Sequence, residues 1–382
     1  MTAAWKRLAL AGCFALAVCQ PGPAAAQDGA SAARGGSRLD SIARLLAGLQ
    51  PTHPDHASLA ATSEWKSHSR AIQSAWAQVH DTQRASLIAW RKAELPAGCP
   101  VGHTLLYPFS GPDFLNAHWL FPDCDALVLF GLEKPGEVPD IEHMSRKEFA
   151  SLLAGVRTFM INLFVRNYFV TGTMRKNFQG KELRGLVPVF MVGMALSDVE
   201  VISVADFQLD AGATTGGEAS KGITIDFRIP GSPRPRRLTY LSVNATNASL
   251  ADHPEFLDYL RKLGRTTTLI KSASYLLHAR QFSLVRESLL EASGFIVQDD
   301  TGAPYDQLAK RGWQLRLYGR YDVPIPPFEW AYQPALAAAH ERAKGPPLPF
   351  RFGYQVDSGV NRSNLMVAQR SAGRSTTGAS PR

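Results

Sequence analysis

The residues able to do chemistry in this chain gather at a few turns. In "LLYPFSGPDFLNAHWLFPDCDALVLFGLE", residues 105–133, Ser110 and Asp113 sit in a turn after one apolar run and Glu133 closes the next. If the two runs are parallel strands joined by a helix, these residues share the strand carboxyl ends, where α/β proteins place ligands. On a helical wheel Arg157 falls among Leu153, Met160, Ile161 and Phe164, away from the polar stripe of Ser151, Thr158 and Asn162. A cation buried in this way needs a carboxylate. Glu133 and Asp113 are the nearest candidates in sequence, so Ser110, Asp113, Glu133 and Arg157 are expected to form a pocket for a small polar or anionic ligand. In "TTTLIKSASYLLHARQF" a helix would put Lys271, Tyr275 and His278 on one face, a row able to move protons. As a strand, the segment would keep Lys271 and Tyr275 together and send His278 away. A hydrolase would use Asp113, Glu133 or His278 as general base, with Lys271 and Tyr275 assisting.

The turn at Gly111 invites comparison with a dinucleotide site, because Glu133 follows 22 residues later. Such a site needs glycines where backbone meets pyrophosphate and a free helix N-terminus. Here the turn reads Ser110-Gly111-Pro112-Asp113, and Asp113 would set a negative charge where phosphates rest. Pro112 and a Ser110 or Asp113 cap account for the turn without a nucleotide. No cofactor is expected.

Other motifs fail on context. Asp300-Thr301-Gly302-Ala303 resembles the D-T-G-A of aspartic peptidases, with a second triplet at Asp357-Ser358-Gly359. Yet Asp299 stands where an apolar residue belongs, and Asp-Thr-Gly is an ordinary turn after a strand. Ser63-Glu64-Trp65-Lys66 has the S-x-x-K spacing of penicillin-recognising enzymes, but no K-T-G follows it. His53 and His56 sit in a proline-rich connection without a nearby third ligand, so no metal site is expected.

The elements that must position these residues follow from periodicity. Leu39–Leu49 and Ser63–Leu95 have helical spacing, anchored by Trp65, Ile72, Trp76, Val79, Leu87 and Trp90. Ser145-x-x-Glu148 is a capping box before the apolar run to Val170. From Val199 to Leu241 the period changes to two, predicting two or three antiparallel strands linked by Gly- and Pro-rich turns. A helix opened by Asp252-His253-Pro254-Glu255 and running to Leu263, a helix or strand at 266–279, a helix at 283–292, strands at 294–298 and 313–319, a helix at 334–344 and a last strand at 349–355 complete the pattern. This interleaving predicts a three-layer α/β or α+β fold, a mixed sheet flanked by helices. Residues 39–95 form a helical N-terminal subdomain and 96–370 the main domain.

Residues 1–26 have the layout of a secretory signal: Lys6 and Arg7, an apolar run from Leu8 to Cys19, then Ala24–Ala26 as a cleavage site. Leu10-Ala11-Gly12-Cys13 offers a lipid anchor through Cys13 as the alternative. Residues 27–38 read as a flexible leader and 371–382 as a disordered tail. The expected place is the periplasm, the cell surface or the medium. There, Cys99 and Cys124 are expected to form a disulfide. With 41 basic and 33 acidic residues the chain carries a formal charge of +8. Arg234, Arg236 and Arg237 could touch anionic headgroups as a peripheral membrane contact. Nucleic acid is an unsuitable partner outside the cytoplasm, and the chain is expected as a monomer.

Taken together, "LLYPFSGPDFLNAHWLFP", "LVLFGLE", "KSASYLLHARQFS", "VQDDTGAPY" and "LPFRFGY" resemble stretches of a group of exported bacterial proteins with no assigned activity. The resemblance spans roughly 100–370. It implies one continuous domain and carries over no catalytic residue, leaving a binding protein, a hydrolase and a purely structural envelope protein open.

Overall fold

Thr104–Pro108 (β1) and Ala126–Gly131 (β2) pair in parallel around the short helix Phe114–Leu120, so the unit expected at 105–133 is present. It lies near the middle of a nine-stranded sheet in a computed structural model that describes residues 37–168, 183–209, 221–326, 328–354 and 362–370. The signal segment and nearly all the leader, the C-terminal tail and the Asp357-Ser358-Gly359 triplet lie outside the described residues.

The remaining strands are Glu200–Gln208 (β3), Lys221–Arg228 (β4), Arg236–Ser242 (β5), Thr266–Ile270 (β6), Ser293–Gln298 (β7), Trp313–Gly319 (β8) and Asn364–Arg370 (β9). They are ordered β3-β4-β5-β2-β1-β6-β7-β9-β8. The five strands from β5 to β7 are mutually parallel, and antiparallel strands extend both edges. The chain steps outward from β1 to β2 and β5, then returns to place β6 on the other side of β1. Connections above the carboxyl ends of β1 and β6 therefore diverge to opposite sides and leave a crevice.

Alternation along each strand feeds two cores. Leu105, Tyr107, Leu127 and Leu129 face one apolar cluster, and Leu106, Val128 and Phe130 face the other. The first cluster is covered by Arg38–Leu46 (α1), Ser63–Val79 (α2), Ala85–Glu94 (α3), Arg146–Arg166 (α5) and Val187–Leu196 (α6), with Phe114–Leu120 (α4) beside them. The second lies under Asn247–Asp252 (α7), Pro254–Lys262 (α8), Ser283–Ala292 (α9) and Tyr305–Lys310 (α10); Pro334–Ala343 (α11) packs on β8. The three-layer mixed α/β fold is thus as expected. The N-terminal helices share the sheet's own core: Leu45, Trp65, Ile72 and Trp90 belong to the same cluster as Leu105.

Helix α5 starts at the expected capping box, with Ser145 and Glu148 bonded reciprocally. Among the described residues it is the one helix long and apolar enough to cross a membrane, yet Phe149, Leu152, Leu153, Val156, Phe159, Met160 and Leu163 are buried in the protein core. Cys99 and Cys124 form a disulfide joining the segments that lead into β1 and β2.

One expectation is corrected. A strand is expected at 349–355, and the described part, 349–354, forms none, although Phe350, Phe352 and Tyr354 alternate and are buried. The backbone of Arg351 is taken by side chains: its N–H donates to Gln83 Oε1 at 2.8 Å, and its carbonyl accepts from Gln83 at 2.6 Å and from Asn167 at 2.7 Å. Gly353, at φ 75°, then turns the chain. The last strand is β9, carried by Leu365, Met366, Val367 and Ala368.

Candidate functional site

The site is built at the carboxyl ends of the parallel strands. β1 leaves the sheet through Phe109 and Gly111, both at positive φ, which turns the chain into α4. Asp113 caps that helix, its Oδ1 accepting from Asn116 N–H at 3.1 Å. The cap occupies the donor that a phosphate would need, in agreement with the reading of this turn from sequence. Ser110 plays no capping role; its hydroxyl donates to the Gly111 carbonyl at 2.8 Å.

Asp113 is also the centre of a buried polar network. Its carboxylate accepts from the Tyr107 hydroxyl at 2.8 Å, from Asn116 Nδ2 at 2.9 and 3.1 Å and from Lys271 Nζ at 2.9 Å. The Lys271 and Asp113 side chains are each 1% exposed. Asn116 continues to Asn167 at 3.1 Å. Burial, followed by the charge and hydrogen bond of Asp113, pushes the Tyr107 hydroxyl well above its ordinary pKa, so it stays a proton donor.

Glu133, two residues past β2, folds its carboxylate back over Gly131. A Cβ on Gly131 would stand 3.0 Å from Glu133 Oε2 and 3.1 Å from the Tyr240 hydroxyl, so any larger residue would press on both groups. Tyr240 in turn donates to the Glu133 carbonyl at 2.9 Å and fixes the turn. Burial pushes the Glu133 carboxyl above the ordinary glutamate value, and among the described residues no cation pairs with it.

These groups border one cavity of about 220 Å³. Ser110, Asp113, Glu133 and Lys271 line it beside apolar walls from Phe109, Leu132, Leu276 and Phe282, with Tyr168 and Tyr354 at 4.7 Å edge to face. A second, more open hollow of about 660 Å³ shares Val243 and Asn244 with it and carries Lys134, Glu137, Asp206 and Lys221.

Three of the four expected pocket residues therefore meet, and the fourth does not. Arg157 is half-buried on α5, which packs against α2 on one face of the sheet. Its charge acts on His68 of α2, whose pKa falls mainly through burial. The cation paired with Asp113 is Lys271, from a segment 158 residues away in sequence.

The segment carrying Lys271, Tyr275 and His278 is neither a continuous helix nor a continuous strand. β6 ends at Ile270, and Ser272, Ser274 and Tyr275 take positive φ. Lys271 enters the pocket, whereas Tyr275 turns away and donates to Asp300 Oδ2 at 2.5 Å. His278 packs edge-on against Tyr275 with ring centroids 5.5 Å apart. Burial holds it down to about 4, so it is neutral at pH 7, and it does not line the cavity.

Sequence reasoning missed Tyr107, Asn116 and Asn167, and set Asp299 and Asp300 aside as an ordinary turn after a strand. Tyr107 hides in an apolar run. Two acids directly after "GFIVQ" were a usable signal, since consecutive carboxylates at the end of a buried strand require an explanation. The basic turn is partly engaged: Arg237 pairs with Asp226 at 2.7 Å and Arg236 reaches the Cys124 carbonyl at 3.4 Å. No group of three or more potential metal ligands occurs among the described residues. No family model, no curated protein and no solved structure matches this chain.

Proposed function

We propose that the protein binds a small polyhydroxylated molecule in the crevice between β1, β2 and β6, in an exported, oxidising setting. The observation that carries this reading is Glu133, whose carboxylate lies over Gly131 at the end of β2 without a cation partner among the described residues. A carboxylate so placed can accept two hydrogen bonds from adjacent hydroxyls, as acidic residues at the second strand of doubly wound sheets do with ribose. Asp113 and Lys271 neutralise each other, so Glu133 leaves the pocket net negative. Among the described residues that charge has no cation opposite it, which favours a neutral polar ligand over an anionic one. Aromatic and aliphatic walls suit the apolar face of a sugar ring or a base. The disulfide is compatible with an oxidising compartment, and the leader of residues 1–26 supports export to the periplasm or beyond.

Titration calorimetry on the full chain tests the reading with adenosine, 2′,3′-dideoxyadenosine, glucose and inorganic phosphate. A vicinal diol should bind, its deoxy analogue should not, and Glu133→Gln should weaken binding about tenfold or more, the scale of a hydrogen bond to a charged group of about 1.5–3 kcal/mol. Phosphate binding as tightly as either diol, or an unaffected Glu133→Gln, would remove the proposal.

Convergence of Asp113, Glu133 and Lys271 on one cavity favours a hydrolase as the second reading, with Glu133 as general base. Tyr275 and His278 take no part in it. Ester and glycoside panels should then show turnover that falls at least a hundredfold in Glu133→Gln; equal rates in the variant would rule this out.

A further inference from the structure

Behind the pocket wall lie two adjacent buried carboxylates, Asp299 and Asp300, 1% and 3% exposed. Their hydrogen-bond partners are neutral. Asp299 Oδ2 accepts from Ser272 N–H at 2.8 Å, and its Oδ1 accepts from the Thr301 N–H at 3.0 Å and hydroxyl at 2.5 Å. Asp300 accepts from the Tyr275 hydroxyl at 2.5 Å and from Asn364 Nδ2 at 2.8 Å. The Thr301 hydroxyl also accepts from Ala273 N–H at 2.7 Å. The wall segment is therefore attached to the turn at Ser272, Ala273 and Tyr275.

That segment does not hold itself. Ser272, Ser274 and Tyr275 lie at φ 54°, 51° and 54°, a region non-glycine residues enter at a cost. Lys271, Ser272, Ala273 and Ser274 line the cavity directly. Gly353 closes the far side, packed so tightly that a Cβ would come within 2.4 Å of Asp299 Oδ2.

Among the described residues, the ionisable groups around the pair supply no compensating charge. Tyr107 from β1, Tyr275 from the wall and Tyr354 from the segment before β9 face Asp299, and Tyr321, after β8, faces Asp300. Burial holds His278 down to about 4, so it carries no charge at pH 7. The Lys271 ammonium is bonded to Asp113.

We propose that Asp299 and Asp300 hold a proton between them and that this proton latches the pocket wall: with it, Lys271–Tyr275 stays docked on the Asp299–Thr301 turn, and its loss frees the segment. Two neighbouring carboxylates in a dry site with neutral donors cannot both carry charge without strain. An opening that admits water relieves that strain, so proton loss and opening favour each other. Burial, then the charge of Asp300, pushes Asp299 up to about 7, and burial raises Asp300. A raised carboxyl binds its proton more tightly when closed. The wall is therefore secure below about pH 7 and loosens as pH rises through that value.

The functional meaning of the latch rests on the crevice being the ligand site; the latch itself does not. Hydrogen–deuterium exchange of the full chain from about pH 5.5 to 8.5, corrected for intrinsic rates, tests it without any ligand. Protection of Lys271–Tyr275 should fall about tenfold per pH unit above the midpoint, the slope of one linked proton. Asp299→Asn should remove the inflection near pH 7, since Asp300 alone has no neighbouring carboxylate with which to share a proton. Asp300→Asn should move it to lower pH, because the neighbouring charge is gone, an effect that loss of packing alone would not produce. Flat protection in the wild type, an inflection near pH 7 that survives in Asp299→Asn, or an unmoved midpoint in Asp300→Asn would overturn the proposal. Far-UV circular dichroism checks each variant; if Asp299→Asn does not fold, the wild type and Asp300→Asn decide. Because no ligand enters, failure of the diol titration leaves this result standing.

Discussion

Lys271 and Asp113 show how strongly one buried pair constrains its surroundings. Asp113 is satisfied by a helix N–H, an amide, a phenol and an ammonium, so removing the ammonium alone leaves a carboxylate in a dry site. Breaking a buried pair from one side costs about 3–5 kcal/mol. Lys271→Met should lose that much in urea unfolding, and adding Asp113→Asn should restore about half or more, since an amide needs no countercharge. A loss below about 1 kcal/mol in Lys271→Met would show that the pair is not desolvated as the geometry implies. Asp113 was legible from its turn, because a cap before a helix leaves a local signature. Its partner was not, because no local pattern marks a lysine that pairs across two neighbouring strand ends.

At the scale of elements, the disulfide and the pocket occupy opposite ends of the same strands. Cys99 and Cys124 precede β1 and β2, whereas Ser110 and Glu133 follow them. A bridge closing a loop of about 26 residues contributes about 3 kcal/mol in the chain-entropy account. Replacing both cysteines by serine should lower unfolding free energy by about that amount and leave exchange at Lys271–Tyr275 unchanged. A changed exchange pattern there would mean that the two ends are coupled. The segment after β6 was misread because Leu269, Ile270, Ala273, Leu276 and Leu277 have helical spacing on paper. The structure breaks that spacing at three positive-φ residues, Ser272, Ser274 and Tyr275, and the Ser272 and Ala273 amides and the Tyr275 hydroxyl find partners on the turn after β7. Tertiary bonds of this kind override a local period.

For the molecule as a whole, the layers, the βαβ unit, the antiparallel strands from Val199 to Leu241 and the capping box at Ser145 could be read from period and punctuation. Strand order could not, because nothing local to β6 reveals that it lies beside β1. Nor could the fate of residues 349–355, whose alternation is that of a strand while its peptide groups are claimed by Gln83 and Asn167. Gln83 belongs to a wide π turn, His80–Arg84, between α2 and α3, and Asn167 caps α5 in the left-handed conformation. Both reach Arg351, three residues before Tyr354 on the cavity rim. The turn between α2 and α3 thus acts, with the end of α5, as a keystone for a wall far along the chain. A version begun at residue 96 would keep every side chain that lines the crevice and the bond from Asn167, yet lose both bonds by which Gln83 holds the peptide of Arg351.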